Sequence, residues 1–138
     1  PLNYKQVFKE FMQLPNKEDF FNEAKKSFDN NEMEDSKFLF QRNIVFNPKD
    51  AKSYLYLAKI FESEQNEKEK IKNINTTLLL EPDNEEAMYM LIKHELDKSN
   101  YSKVKDLKED FLIICKQLCN KTKKIEDLLK DIEPKNEL

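Results

Sequence analysis

The chain has 138 residues, 38% hydrophobic and 37% charged, which is one domain's worth and enough for a real core. Its 24 basic and 27 acidic side chains leave a net charge of −3, which argues against nucleic acid as a partner, because affinity for a phosphate backbone needs a basic surface. No apolar run approaches the roughly 20 residues that cross a bilayer, so no direct membrane insertion by this piece is expected, and the absence of glycine excludes a glycine-rich phosphate cradle.

Residues 3–14 read as a short amphipathic helix with Tyr4, Val7, Phe8, Phe11 and Met12 on one side, ended by Leu14-Pro15. It is either an N-terminal cap or the second helix of an upstream unit. Asn16 is an N-cap for a helix over about 17–29, followed by one over 33–46. Asp50 opens 51–64, followed by 67–80, and Asp83 or Asn84 opens 85–98. With no glycine to take left-handed backbone, Asn30-Asn31, Gln65-Asn66 and Ser99-Asn100 stand where the turns need it. From Tyr101 no proline interrupts the chain until Pro134. Leu118, Thr122, Ile125, Leu129 and Ile132 recur at spacings of four and three, so the last helix is expected to run unbroken to about 132. The alternative is a separate final helix capped at Asn120 to Thr122.

Pro48 and Pro82 lie 34 residues apart, each closing an apolar run. Between them stand Tyr54-x2-Leu57-Ala58-x2-Phe61, then Lys70-x3-Ile74, then Pro82. The same frame moved back reads Phe20-x2-Glu23-Ala24-x2-Ser27, Ser36-x3-Phe40 and Pro48; moved forward it reads Met88-x2-Leu91-Ile92-x2-Glu95 and Val104-x3-Lys108, with Lys116 in the proline's place. Small Ala24 and Ala58 let paired helices approach, while Tyr54, Leu57, Phe61, Ile74 and Leu78 form one buriable stripe. One such hairpin cannot bury its face alone, but a stack of three can.

Over about residues 17–116 this pattern resembles the tetratricopeptide (TPR) repeat. The resemblance implies an all-α fold, a right-handed superhelical solenoid of about three helix-turn-helix units at 17–49, 50–83 and 84–117. The helix at 3–14 precedes them and a capping helix at 118–133 follows, the whole forming a single domain over 1–138. A chain that begins at Pro1 is expected to be a fragment of a longer protein, so its compartment is unknown, with the cytoplasm as the default. The final Lys135-Asn136-Glu137-Leu138 is one substitution from an endoplasmic-reticulum retention signal and reads as coincidence in so Lys- and Asn-rich a chain.

Catalytic chemistry finds no foothold. No carboxylate is joined to a nucleophile, a histidine partner or a glycine turn, so no enzyme is expected. Cys115 and Cys119 are one helical turn apart and His94 lies in another helix, too few ligands for a metal. Adjacent-turn cysteines on an intact helix are poorly oriented for a disulfide, so they read as small core residues in an environment that need not be oxidising. No cofactor or metal is expected.

In solenoids of this family the first helix of each unit lines a concave face. The exposed positions there are Phe21, Lys25 and Phe28, then Leu55, Tyr56 and Lys59, then Tyr89, Met90 and Lys93. Lys25, Lys59 and Lys93 recur at intervals of 34, a lysine ladder flanked by aromatics that suits an acidic or amphipathic segment of another protein. The carboxylate clamp by which some family members hold chaperone tails maps to Phe21, Lys25, Tyr56, Glu86 and Met90, where only Lys25 keeps the required charge. The expected function is therefore a non-catalytic protein-protein interaction module that binds and stabilises a partner. The alternative is a scaffold segment that self-associates or stacks with further repeats through its terminal helices.

Overall fold

The computed structural model describes residues 3–5 and 17–135, with side chains from residue 20 in the second stretch. Most of the helix expected over 3–14, the expected cap Asn16 and the last three residues lie outside these. From 17 to 135 the chain forms seven α-helices and no strand: α1 Lys17–Asp29, α2 Met33–Phe46, α3 Ala51–Ser63, α4 Glu67–Leu80, α5 Glu85–Asp97, α6 Tyr101–Ile114 and α7 Thr122–Asp131. A 3-10 turn, Cys119–Lys121, leads into α7.

The turns within the first three hairpins repeat as the sequence does. Asn31, Gln65 and Ser99 take φ of 62°, 60° and 56°, three left-handed residues 34 apart in a chain with no glycine to offer. Asn66 and Asn84 cap α4 and α5 through side-chain bonds from the Glu69 and Ala87 amides. Asp50 precedes α3 but caps no amide. Its carboxylate accepts from Ser53 Oγ at 2.6 Å and from Asn43 Nδ2 at 3.0 Å, so it ties α2 to α3 instead.

Packing follows from the small residues. Ala24 and Ala58 are fully buried, so α1 and α3 lie close to their partners. Ala24, Phe40, Leu57, Ile60 and Phe61 make one cluster, and Leu55, Ala58, Ile74, Ala87, Met90 and Leu91 make the next. The third gathers Met88, Ile92, Val104 and Phe111 with Ile125 and Leu129 of α7. Each cluster draws on neighbouring helices in chain order, the nearest-neighbour arrangement of a helical solenoid.

The C-terminal part corrects two expectations. The helix does not run on to 132: α6 ends at Ile114, Cys115 takes extended backbone (φ −64°, ψ 145°), and α7 packs against α5 and α6. Burying Ile125 and Leu129 contributes about 1.5–3 kcal/mol each, more than the at most ~0.7 kcal/mol per residue that continued helix offers. The cysteines are not free core residues either. Cys115 is half-buried, Cys119 is exposed, and a disulfide joins them with Cα atoms 5.3 Å apart. Two cysteines on an intact helix would be poorly oriented for a bridge, but the helix stops at Ile114, the residue before the first cysteine.

The polar residues in the third hairpin's apolar frame have partners. Buried Glu95 accepts from Asn100 Nδ2 and pairs with Lys103 at 3.3 Å, while Lys108 reaches Glu126 of α7 at 3.8 Å.

Candidate functional site

On α3, Lys52, Leu55, Tyr56 and Lys59 fall at helical spacing on one face, opposite Phe21 and Lys25 of α1. With Asn84, Glu85 and Glu86 at the start of α5 they enclose a cavity of about 360 Å³. Tyr56 is fixed by three rings: it stacks on buried Phe40 at 4.8 Å and meets Phe28 at 5.0 Å and Phe21 at 6.0 Å edge-on. These are geometries that aromatic quadrupoles favour.

The charges of the cavity are arranged unevenly. Lys59 Nζ sits 5.1 Å above the Tyr56 ring and 2.7 Å from Glu86, bridging α3 to α5. Lys25 pairs with Asp29 at 3.2 Å, and that hydrogen bond raises its pKa. Glu85 points to the C-terminal loop, where its carboxylate accepts the backbone N–H groups of Lys116 (2.6 Å), Gln117 (3.0 Å) and Leu118 (3.1 Å). Those bonds, the Lys116 amide first, hold Glu85 below the usual carboxylate range. Both cavity glutamates are thus engaged within the molecule, as is Lys25 through Asp29, while Lys52 is exposed.

Of the nine residues expected to face a groove, Phe21, Lys25, Leu55, Tyr56 and Lys59 line this cavity, and Phe28 supports Tyr56 at its edge. Tyr89, Met90 and Lys93 lie apart from it. The Tyr89 ring faces Phe111 at 6.2 Å and carries Lys93 at 4.9 Å and Lys121 at 6.0 Å, so the C-terminal loop shares that part of the surface. Leu55 and Met90, expected to be exposed, are buried in the second cluster, because small Ala58 and Ala87 bring α3 and α5 close enough for both to fill the gap. Four wall residues were not among those nine: Lys52, Asn84, Glu85 and Glu86, the last named only as a clamp position without the required charge. Lys52 was readable, three residues before Leu55 on the same helical face. The role of Glu85 was not, since its partners are 31 to 33 residues away.

This arrangement offers a shaped, cationic and aromatic surface. Among the described residues no three His, Cys, Asp or Glu side chains stand together as metal ligands, and no helix is long and apolar enough to cross a membrane.

No protein-family model and no curated protein matches the sequence. Solved structures do match. The type III secretion chaperone SycD of Yersinia enterocolitica, in complex with a peptide of the translocator YopD, superposes with a TM-score of 0.70 at 13% identity, over 83% of this chain and 90% of that one. The Sgt2 TPR domain from Aspergillus fumigatus gives 0.66 at 13%, over 91% and 89%, and a chain of the CopN–Scc3 complex gives 0.67 at 14%, over 94% and 75%. The fold is a TPR-type all-α solenoid.

Proposed function

We propose that the chain is a non-catalytic interaction module of three helical-hairpin units, 17–49, 50–83 and 84–117, that holds a segment of a partner protein on the face lined by α1, α3 and α5. The observation that carries this reading is the cavity itself: Phe21 and Tyr56 present aromatic area, Glu86 is paired with Lys59 and Glu85 is held by the C-terminal loop, while Lys52 and Lys25, the latter bridged to Asp29 on its own helix, stand exposed at the rim. A segment with an apolar side chain beside an acidic one complements such a wall. The peptide held by SycD and the paired proteins of the CopN–Scc3 complex support a protein as the partner.

Peptides selected from a random library against the immobilised chain supply the test. Their affinity is expected to fall about tenfold, with slower association and a flatter salt dependence, in the Lys25→Glu/Lys52→Glu/Lys59→Glu variant. Selected peptides that bind this variant as tightly as wild type would remove the cavity as the site.

Self-association through the terminal helices has less support at the C-terminal end. There α7 already buries Ile125 and Leu129 in its own chain.

A further inference from the structure

The second helices end in three apolar triplets in register: Ile44-Val45-Phe46 on α2, Leu78-Leu79-Leu80 on α4 and Leu112-Ile113-Ile114 on α6, at intervals of 34. The middle residue of each is bare, with Val45 75%, Leu79 82% and Ile113 82% exposed. One exposed aliphatic residue is ordinary on a protein surface; the same position bare on three successive hairpins makes a repeating apolar strip. It belongs to the second helices, whereas the cavity above belongs to the first.

The two ends of the strip differ in a complementary way. At the α2 end, Arg42 lies three residues before Val45 on one helical face, exposed, with its guanidinium over the Phe20 ring at 5.0 Å. At the α6 end a cavity of about 330 Å³, mostly apolar, is lined by Leu78, Pro82, Met88, Ile113 and Ile114, with Asp110 in its wall. Arg42 and Asp110 occupy the same position two units apart, and Thr76 between them is uncharged. An exposed aliphatic residue with a cation thus stands at one end, and an apolar cavity with an anion in its wall at the other.

From this geometry we infer that a second copy of this chain docks on the strip, antiparallel, about a two-fold axis through Leu79. Rotation about that axis places Val45 of each copy at the other's apolar cavity and Arg42 beside the other's Asp110, satisfying both ends at once. That is the self-matching required of an isologous interface. Arginine suits the role because its planar fork can hold a carboxylate bidentately while its face stays on an aromatic ring. A parallel arrangement would set Arg42 against Arg42 and Asp110 against Asp110.

Sedimentation equilibrium of the full chain tests this without reference to any groove ligand. Wild type is expected to show a concentration-dependent monomer–dimer equilibrium below about 500 µM, and Leu79→Asp, at an exposed site that leaves the circular dichroism unchanged, to be monomeric. Arg42→Asp should weaken the dimer about tenfold, and Arg42→Asp/Asp110→Arg should restore it, an outcome that a merely sticky surface would not give. A wild-type chain monomeric throughout that range overturns the proposal. So does a dimer indifferent to Leu79→Asp, or one that the charge exchange fails to rescue.

Discussion

Glu85 couples the candidate site to the C-terminal loop through three successive amides, and the Cys115–Cys119 bridge spans the residues that carry them. Because the folded carboxyl titrates below its ordinary range, the contact contributes stability above that range and loses it as pH falls through the depressed value. Amide exchange protection at 116–118 should therefore be steady near neutrality and drop only on acidification below the ordinary carboxylate range. Glu85→Gln should lose protection already at pH 7, with no further acid step at these amides. Reduction of the bridge with dithiothreitol should also lower protection there, since an open loop no longer aims its N–H groups at one carboxylate. Unchanged protection after verified reduction would show that Glu85 alone organises the loop. None of this was legible in the sequence, where Glu85 stands as one of two acidic residues opening a helix and the cysteines fall within what reads as a continuous one.

The first five described helices, from Lys17 to Asp97, were legible almost to the residue, because their signals are local. Asn66 and Asn84 cap them, prolines follow α2 and α4, and the apolar spacing holds between. The left-handed turns were legible for the same reason, and they bear a cost that can be tested. Gln65 holds φ of 60°, where a side chain costs about 1–2 kcal/mol, so Gln65→Gly should raise stability by about 1 kcal/mol in urea unfolding. An unchanged midpoint would mean that the turn relaxes to another conformation. Within the middle hairpin, Leu57 is almost fully buried in the cluster that joins α1, α2 and α3, and Leu57→Ala should cost about 2–5 kcal/mol. A melting curve indistinguishable from wild type would contradict that packing.

On the scale of the whole molecule stability is shared between neighbours, so removing the last helix acts on the hairpin before it. Deleting 118–138 strips Ile125 and Leu129 from the cluster of Ile92, Val104 and Phe111, and the shortened chain should melt lower and associate through that uncovered side. Light scattering that finds a monomer with the wild-type melting temperature would contradict this. The sequence by itself determined the all-α hairpin pattern, the 34-residue period, the left-handed turns and the aromatic and lysine residues at the core of the candidate site. Each is written in spacings within one or two helical turns or in an exact recurrence along the chain. Only the tertiary structure decided that the last helix breaks and folds back, that Cys115 meets Cys119, that Leu55 and Met90 are buried, and that Glu85 is held by the loop while Lys93 lies apart. Those outcomes depend on which surfaces meet in the packed chain, some of them thirty or more residues apart, where the burial of a few aliphatic side chains outweighs any local preference.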